Sequence, residues 1–160
     1  MNLDTPAIRA AVEAGLDIRV VRTERPNSVE ESAALQRIEV GELLRTIVIR
    51  RAADDFLFVL VPGGSHIDWP KLRDHLGVKQ LSLLDEAEAR AATGYERGTI
   101  TPFGSERPWP VIADASVTRL GRVAIGGGAQ GVNLHMRVAD LVTHLDADVG
   151  DVTRSEDRPG

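Results

Sequence analysis

The sequence predicts a single α/β domain, built as a mixed, mainly antiparallel β-sheet surrounded by helices. Three observations predict it. Two dense β-type runs, 44–51 and 56–61, are separated only by Ala52-Ala53-Asp54-Asp55, the arrangement of a hairpin. Capped helix starts alternate with further β-type runs along the chain. Several connections are as short as hairpins, which favours a mixed sheet over a doubly wound parallel one. A length of 160 residues fits one domain. We assign residues 1–150 to it and residues 151–160 to a polar flexible tail.

The elements follow in order. Thr5-Pro6 reads as an N-cap and first helical residue, with Gly15 as the stop and Ile8, Ala11 and Val12 between them. Residues 17–23 alternate and are β-branched, so they read as a strand, and 24–27 with its proline as a loop. Ser28-Val29-Glu30-Glu31 is a capping box, in which Ser28 and Glu31 satisfy free amides reciprocally, and a helix follows to about Leu35. After the hairpin, Pro62-Gly63-Gly64 ends the second strand. Asp68 caps a helix through Pro70, Leu72 and Leu76, closed by Gly77. Residues 85–92 form another helix, stopped near Gly94. Residues 95–110, rich in Gly, Pro, Thr and Ser, make a long loop. Strands are expected at 111–113, 122–125 and 132–136, then a closing helix over 138–145.

Composition excludes several chemistries. The chain has no cysteine, so disulfides, thiolate metal sites and cysteine nucleophiles are out. The N-terminus has charges and an early proline but no apolar signal core, and no apolar run approaches the ~20 residues of a membrane span. The expectation is a cytoplasmic protein with no membrane partner. A net charge of −5 argues against a long nucleic-acid track and against DNA, yet a few arginines around a pocket suffice to grasp one end of an RNA.

Gly126-Gly127-Gly128-Ala129-Gln130-Gly131 satisfies GxGxxG, but a β alternation follows it where a dinucleotide site needs a helix. It reads as a hairpin turn or as a pocket wall close to a ligand. His66, His75, His135 and His144 show no metal spacing, so no metal or cofactor is expected. His135, just past the glycine turn, is the one placed near that wall. No GxSxG elbow is present. The loop Gly98-Thr99-Ile100-Thr101-Pro102-Phe103-Gly104 has glycine at both ends and a proline inside, a backbone whose amides can hold a carbonyl or hydroxyl.

Several segments together resemble the YbaK/prolyl-tRNA-synthetase-associated editing family. They are Ser28-Val29-Glu30-Glu31-Ser32-Ala33-Ala34, Leu43-Leu44-Arg45-Thr46-Ile47-Val48, Phe58-Val59-Leu60-Val61-Pro62-Gly63, the Asp68 helix to Lys79, Thr93 through Gly104, Pro110-Val111-Ile112-Ala113-Asp114, and the glycine turn before Asp140-Leu141. The resemblance covers about residues 20–146. It implies a mixed α/β fold and trans-editing, the hydrolysis of the ester between a wrong amino acid and the tRNA 3′ end. Cysteine or alanine on the proline tRNA are the expected cargoes. It implies a pocket using the loop from Gly98 to Pro102, and family members often carry lysine where this chain has Arg45. Thr46 resembles members that act on cysteinyl-tRNA.

The resulting expectation assigns catalysis to Arg45, Gly98, Thr101 and Pro102. Substrate binding falls to Thr46, Ile100, Asp114, Gly126, Gly127, Gly128 and His135. Arg45 would hold the terminal phosphate or the substrate carbonyl, Thr46 would orient the amino acid, and the loop amides would hold the developing oxyanion. The tRNA's vicinal hydroxyl would assist the water, as the resemblance implies. The partners are an aminoacyl-tRNA 3′ end and a synthetase that delivers it. The alternative is a non-catalytic module that binds a tRNA end or a synthetase.

Overall fold

The central hairpin organises the molecule. In the computed structural model, which describes residues 4–156, β2 (Leu44–Ala52) and β3 (Asp55–Pro62) pair antiparallel around Ala53-Asp54. After Asp55, β3 is apolar to its end because both of its faces are covered, as in a central strand. Phe56, Phe58 and Leu60 enter the larger core, and Leu57, Val59 and Val61 enter a second core on the other side. β2 alternates with it. Leu44 and Val48 face the larger core, whereas Ile49 faces the second.

A five-stranded sheet grows from this hairpin in the order β5-β2-β3-β6-β9, with β5 (Ser82–Leu83), β6 (Val111–Asp114) and β9 (Asp148–Gly150). β6 runs parallel to β3, and β9 parallel to β6. A three-stranded antiparallel sheet has the order β1-β8-β7, from β1 (Arg19–Arg22), β7 (Arg122–Gly126) and β8 (Val132–Arg137). A bridge between Leu43 and Ala124 joins it to the entrance of β2. β4 (Ser65–Ile67) and β10 (Thr153–Ser155) form a two-stranded ribbon. Among the described residues five ladders are antiparallel and two parallel, so the sheet is mixed and mainly antiparallel, as predicted.

The helices start where their caps stand. α1 (Pro6–Glu13), α2 (Val29–Gln36), α3 (Trp69–Leu76) and α4 (Glu86–Thr93) are capped by the side chains of Thr5, Ser28, Asp68 and Asp85. α3 and α4 end on left-handed Gly77 and Gly94. α5 (Val138–His144) buries Val138 and Leu141. The expected reciprocal box at α2 is shifted. Ser28 Oγ accepts from the Glu31 amide at 3.0 Å, but Glu31 Oε1 accepts from the amide of Asn27, one residue earlier. A complete box is at α4, between Asp85 and Glu88.

The C-terminal segment differs from the expectation of a tail beginning at 151. Val152 is fully buried in the second core, and β10 pairs with β4. The cause is long-range. Asp114, at the end of β6, accepts hydrogen bonds from the amides of Val152 and Thr153 at 3.0 and 3.1 Å, which no local pattern announces. The last four residues of the expected tail, 157–160, lie outside the described residues.

Candidate active site

One face of β2 lies open under the start of α2, the β5–α4 corner and the loop after α4. The space between them is a cleft of about 1010 Å³. Leu44, Thr46 and Val48 alternate onto this face, with Ala89 from α4 and Ile100 from the loop also in the wall. Gly98 and Gly126 complete a side without side chains. Gly98 has φ +84°, a conformation glycine adopts readily, so the loop turns here at little strain.

Thr46 is the telling group. Its hydroxyl is buried and has no hydrogen-bond partner. A buried polar atom left unpaired costs about 1–3 kcal/mol, so the site holds a donor and acceptor ready for a ligand. Gly98 and Ile100 add backbone amides with no intramolecular acceptor among the described residues.

Arg45 contributes to the cleft wall, but strand alternation carries its side chain to the face opposite Thr46. Its Nη2 donates to the carbonyl of Ser65 at the start of β4, and its buried Nε has no partner. The guanidinium therefore ties β2 to the β4 ribbon and keeps unspent donor capacity.

The remaining expected residues fall outside the cleft lining. Thr101 is fully buried, and its hydroxyl accepts from the Phe103 amide at 3.3 Å, shaping the loop from within. Pro102 follows it in the same turn and accepts from the Ser105 amide through its carbonyl. Gly127 and Gly128 dock on the start of α1, where Thr5 Oγ1 donates to the Gly127 carbonyl at 2.7 Å. Asp114 is buried at the far end of β6. Burial pushes its carboxyl up, but hydrogen bonds from Ser116, Val152 and Thr153 outweigh this and hold it below the ordinary carboxylate value. His135 stands on the outer face of the three-stranded sheet, with Nε2 2.8 Å from Gln36 Oε1. Burial and the charges of Arg19 and Arg122 hold its pKa below the usual histidine value, against an opposing pull from Glu42.

The structure thus brings together Arg45, Thr46, Gly98, Ile100 and Gly126. It adds residues that the sequence did not single out. Ser32 reaches the cleft from α2, Leu84 from the β5–α4 corner and Asn133 from β8 opposite Gly126. The capping motif marked α2 as a helix, but only the tertiary fold shows which of its residues meets β2. Among the described residues no group of three or more His, Asp or Glu side chains could hold a metal, and no helix is long and apolar enough to cross a membrane.

Known proteins with related sequence and shape give this geometry its context. A protein of Enterococcus faecalis, named as a candidate Cys-tRNA(Pro)/Cys-tRNA(Cys) deacylase, EbsC, is 22% identical, with 81% of this chain and 79% of that protein covered. A proline–tRNA ligase of Xanthomonas axonopodis pv. citri is 30% identical over 81% of this chain, yet the chain spans only 22% of that enzyme's length. The crystal structure of a candidate trans-editing enzyme for prolyl-tRNA synthetase superposes with a TM-score of 0.82 at 23% identity, covering 96% of this chain and all of the other. The likeness at that identity is one of fold. The family described as the aminoacyl-tRNA editing domain matches residues 23–144, most of the chain and every element that lines the cleft; the chain belongs to the aminoacyl-tRNA editing domain family.

Proposed function

We propose that this chain is a trans-editing aminoacyl-tRNA deacylase, which hydrolyses the ester of a mischarged tRNA, with cysteine or alanine on the proline tRNA as its cargo and the cytoplasm as its compartment. The names of the E. faecalis protein and of the structural neighbour support this reading. The observation that carries it is the unpartnered Thr46 hydroxyl facing a wall of bare glycine backbone.

The physical need is well defined. A synthetase pocket distinguishes amino acids differing by one methylene by only about 1–3 kcal/mol, so a second hydrolytic site corrects its errors. Water adds to the ester carbonyl, the oxygen of that carbonyl becomes an oxyanion, and the ribose oxygen leaves with a proton as the amino acid is released. Thr46 binds the aminoacyl group, and the Gly98 and Ile100 amides donate to the oxyanion. Gly126 lets the terminal ribose approach the backbone. Arg45 lends positive charge from behind β2 and positions the strand. Thr101 and Pro102 hold the loop in shape, while Asp114, Gly127, Gly128 and His135 support the framework around the cleft. A synthetase delivers the tRNA.

The test is deacylation of a panel of mischarged tRNAs by the purified protein, beginning with cysteinyl- and alanyl-tRNA on the proline tRNA. Selective release of one amino acid is expected. Tight binding with no release from any of them would replace the enzyme with a tRNA-end binding module.

A further inference from the structure

The loop that carries Gly98 and Ile100 lies between α4 and β6 and joins no strand, so no ladder fixes it. Donors to a developing oxyanion act only if they are held in place beforehand. Whatever holds this loop against the opposite wall therefore bears on the chemistry.

The loop and the glycine turn touch at the cleft, where a Cβ on Gly126 would stand 3.6 Å from the Ile100 carbonyl oxygen. Behind that contact both rest on the same support, the first turn of α1. A Cβ on Gly104, at the far end of the loop, would stand 2.5 Å from the Pro6 carbonyl oxygen. A Cβ on Gly128, in the turn, would stand 3.3 Å from Ala7 Cβ and 3.0 Å from Tyr95 Cε1.

Two buried hydroxyls fasten this assembly, and neither residue lines the cleft. Thr5 Oγ1 accepts from the Ile8 amide at 3.1 Å, which is all that capping α1 requires. Its proton is spent elsewhere, on the Gly127 carbonyl at 2.7 Å, 122 residues along the chain. Tyr95 packs its ring on Gly128, and its hydroxyl donates to the Phe103 carbonyl of the loop at 2.6 Å. Burial pushes the Tyr95 pKa up to about 12, against an opposing effect of Arg9, so the hydroxyl remains a donor at neutral pH.

We propose that Thr5 and Tyr95 are positioning residues of the cleft, a pair of hydroxyls that locks the loop 98–104 to the glycine turn 126–131 and so sets the Gly98 and Ile100 amides against the Gly126 wall. The consequence for turnover rests on the deacylase reading; the lock itself does not. Oxyanion donors matter at the transition state more than in the bound ground state, so loosening the lock lowers kcat and leaves KM nearly unchanged.

The experiment pairs amide hydrogen exchange of the whole chain, read by mass spectrometry, with steady-state kinetics on cysteinyl-tRNA carried on the proline tRNA. Thr5→Val and Tyr95→Phe keep the shape and remove the hydroxyl, Thr5→Ser keeps the hydroxyl, and Asp68→Ala removes a cap of the same kind from α3. In Thr5→Val and Tyr95→Phe, exchange across 98–104 and 126–131 is expected to rise together, by roughly tenfold. In both, kcat should fall roughly tenfold with KM changed by less than about twofold. Thr5→Ser should match the wild type, and Asp68→Ala should show neither effect even where it melts as low as Thr5→Val. A rise in exchange confined to α1, or equal effects in Asp68→Ala, overturns the lock. Coupled exchange with an unchanged kcat overturns its positioning role. Coupled exchange in a protein whose wild type releases no amino acid from any mischarged tRNA overturns the deacylase reading and leaves the lock standing.

Discussion

Two adjacent side chains of β2 divide the work between opposite faces. Thr46 faces the cleft with an unsatisfied hydroxyl, so Thr46→Val keeps its shape and removes a buried polar atom without a partner. Thermal unfolding should show stability equal to the wild type or higher by up to about 1 kcal/mol, while deacylation falls at least tenfold. A variant that loses stability and keeps activity would show that the hydroxyl serves the fold. Arg45 faces the other way, on the Ser65 carbonyl. Arg45→Lys should retain most activity, since it keeps the charge that the resemblance associates with this position. Arg45→Ala should lose activity beyond any loss of folded protein, measured as initial rates on samples matched for circular dichroism. The resemblance made the pair visible in the sequence; the alternation that separates them became clear only with the register of β2 on β3.

Helix ends were legible because capping is local chemistry. Thr5, Ser28, Asp68 and Asp85 each stand next to the helix they start, and Gly77 and Gly94 next to the helices they stop. The short strands were not. β4, β5, β9 and β10 are two or three residues long, and their partners lie far away in sequence, as in the pairing of Thr153 with Ile67. No propensity outweighs a partner that distant. The glycine turn was legible as a turn, but its closeness to another element was not. A Cβ on Gly127 would stand 2.5 Å from Val132 Cγ1 and 2.8 Å from the Val132 carbonyl oxygen. Gly127→Ala should therefore cost about 1–3 kcal/mol by chemical denaturation, as overpacking does. An unchanged midpoint would mean that the turn yields.

At the scale of the molecule, Asp114 ties the C-terminal ribbon to the central sheet. Its pKa is lowered in the folded state, so its contribution is fully present above the unfolded value of about 3.9 and is lost as pH falls through the lower folded value. Asp114→Asn should flatten the acid limb of stability below about pH 4. An acid limb identical to that of the wild type would assign it to other carboxylates. Ending the chain after Gly150 removes fully buried Val152 as well as β10. Burial of a valine contributes about 1.5–3 kcal/mol, so the shortened protein should melt several degrees lower, whereas a dispensable tail would leave the melting temperature unchanged.

The buried carboxylate has a further consequence, in the order of events at the ribosome. Asp114 emerges some forty residues before the amides of Val152 and Thr153 that it accepts from. During that interval the nascent chain can already contain β2, β3 and β6, yet the end of β6 has no strand to receive. Ser116 can already donate to Oδ2, but Oδ1 has only water until the ribbon arrives, and a hydrated oxygen there disfavours closure of that edge on another apolar segment, a common route to misfolding during synthesis. The cleft can take shape once β8 is made, and the last ribbon then locks the sheet behind it.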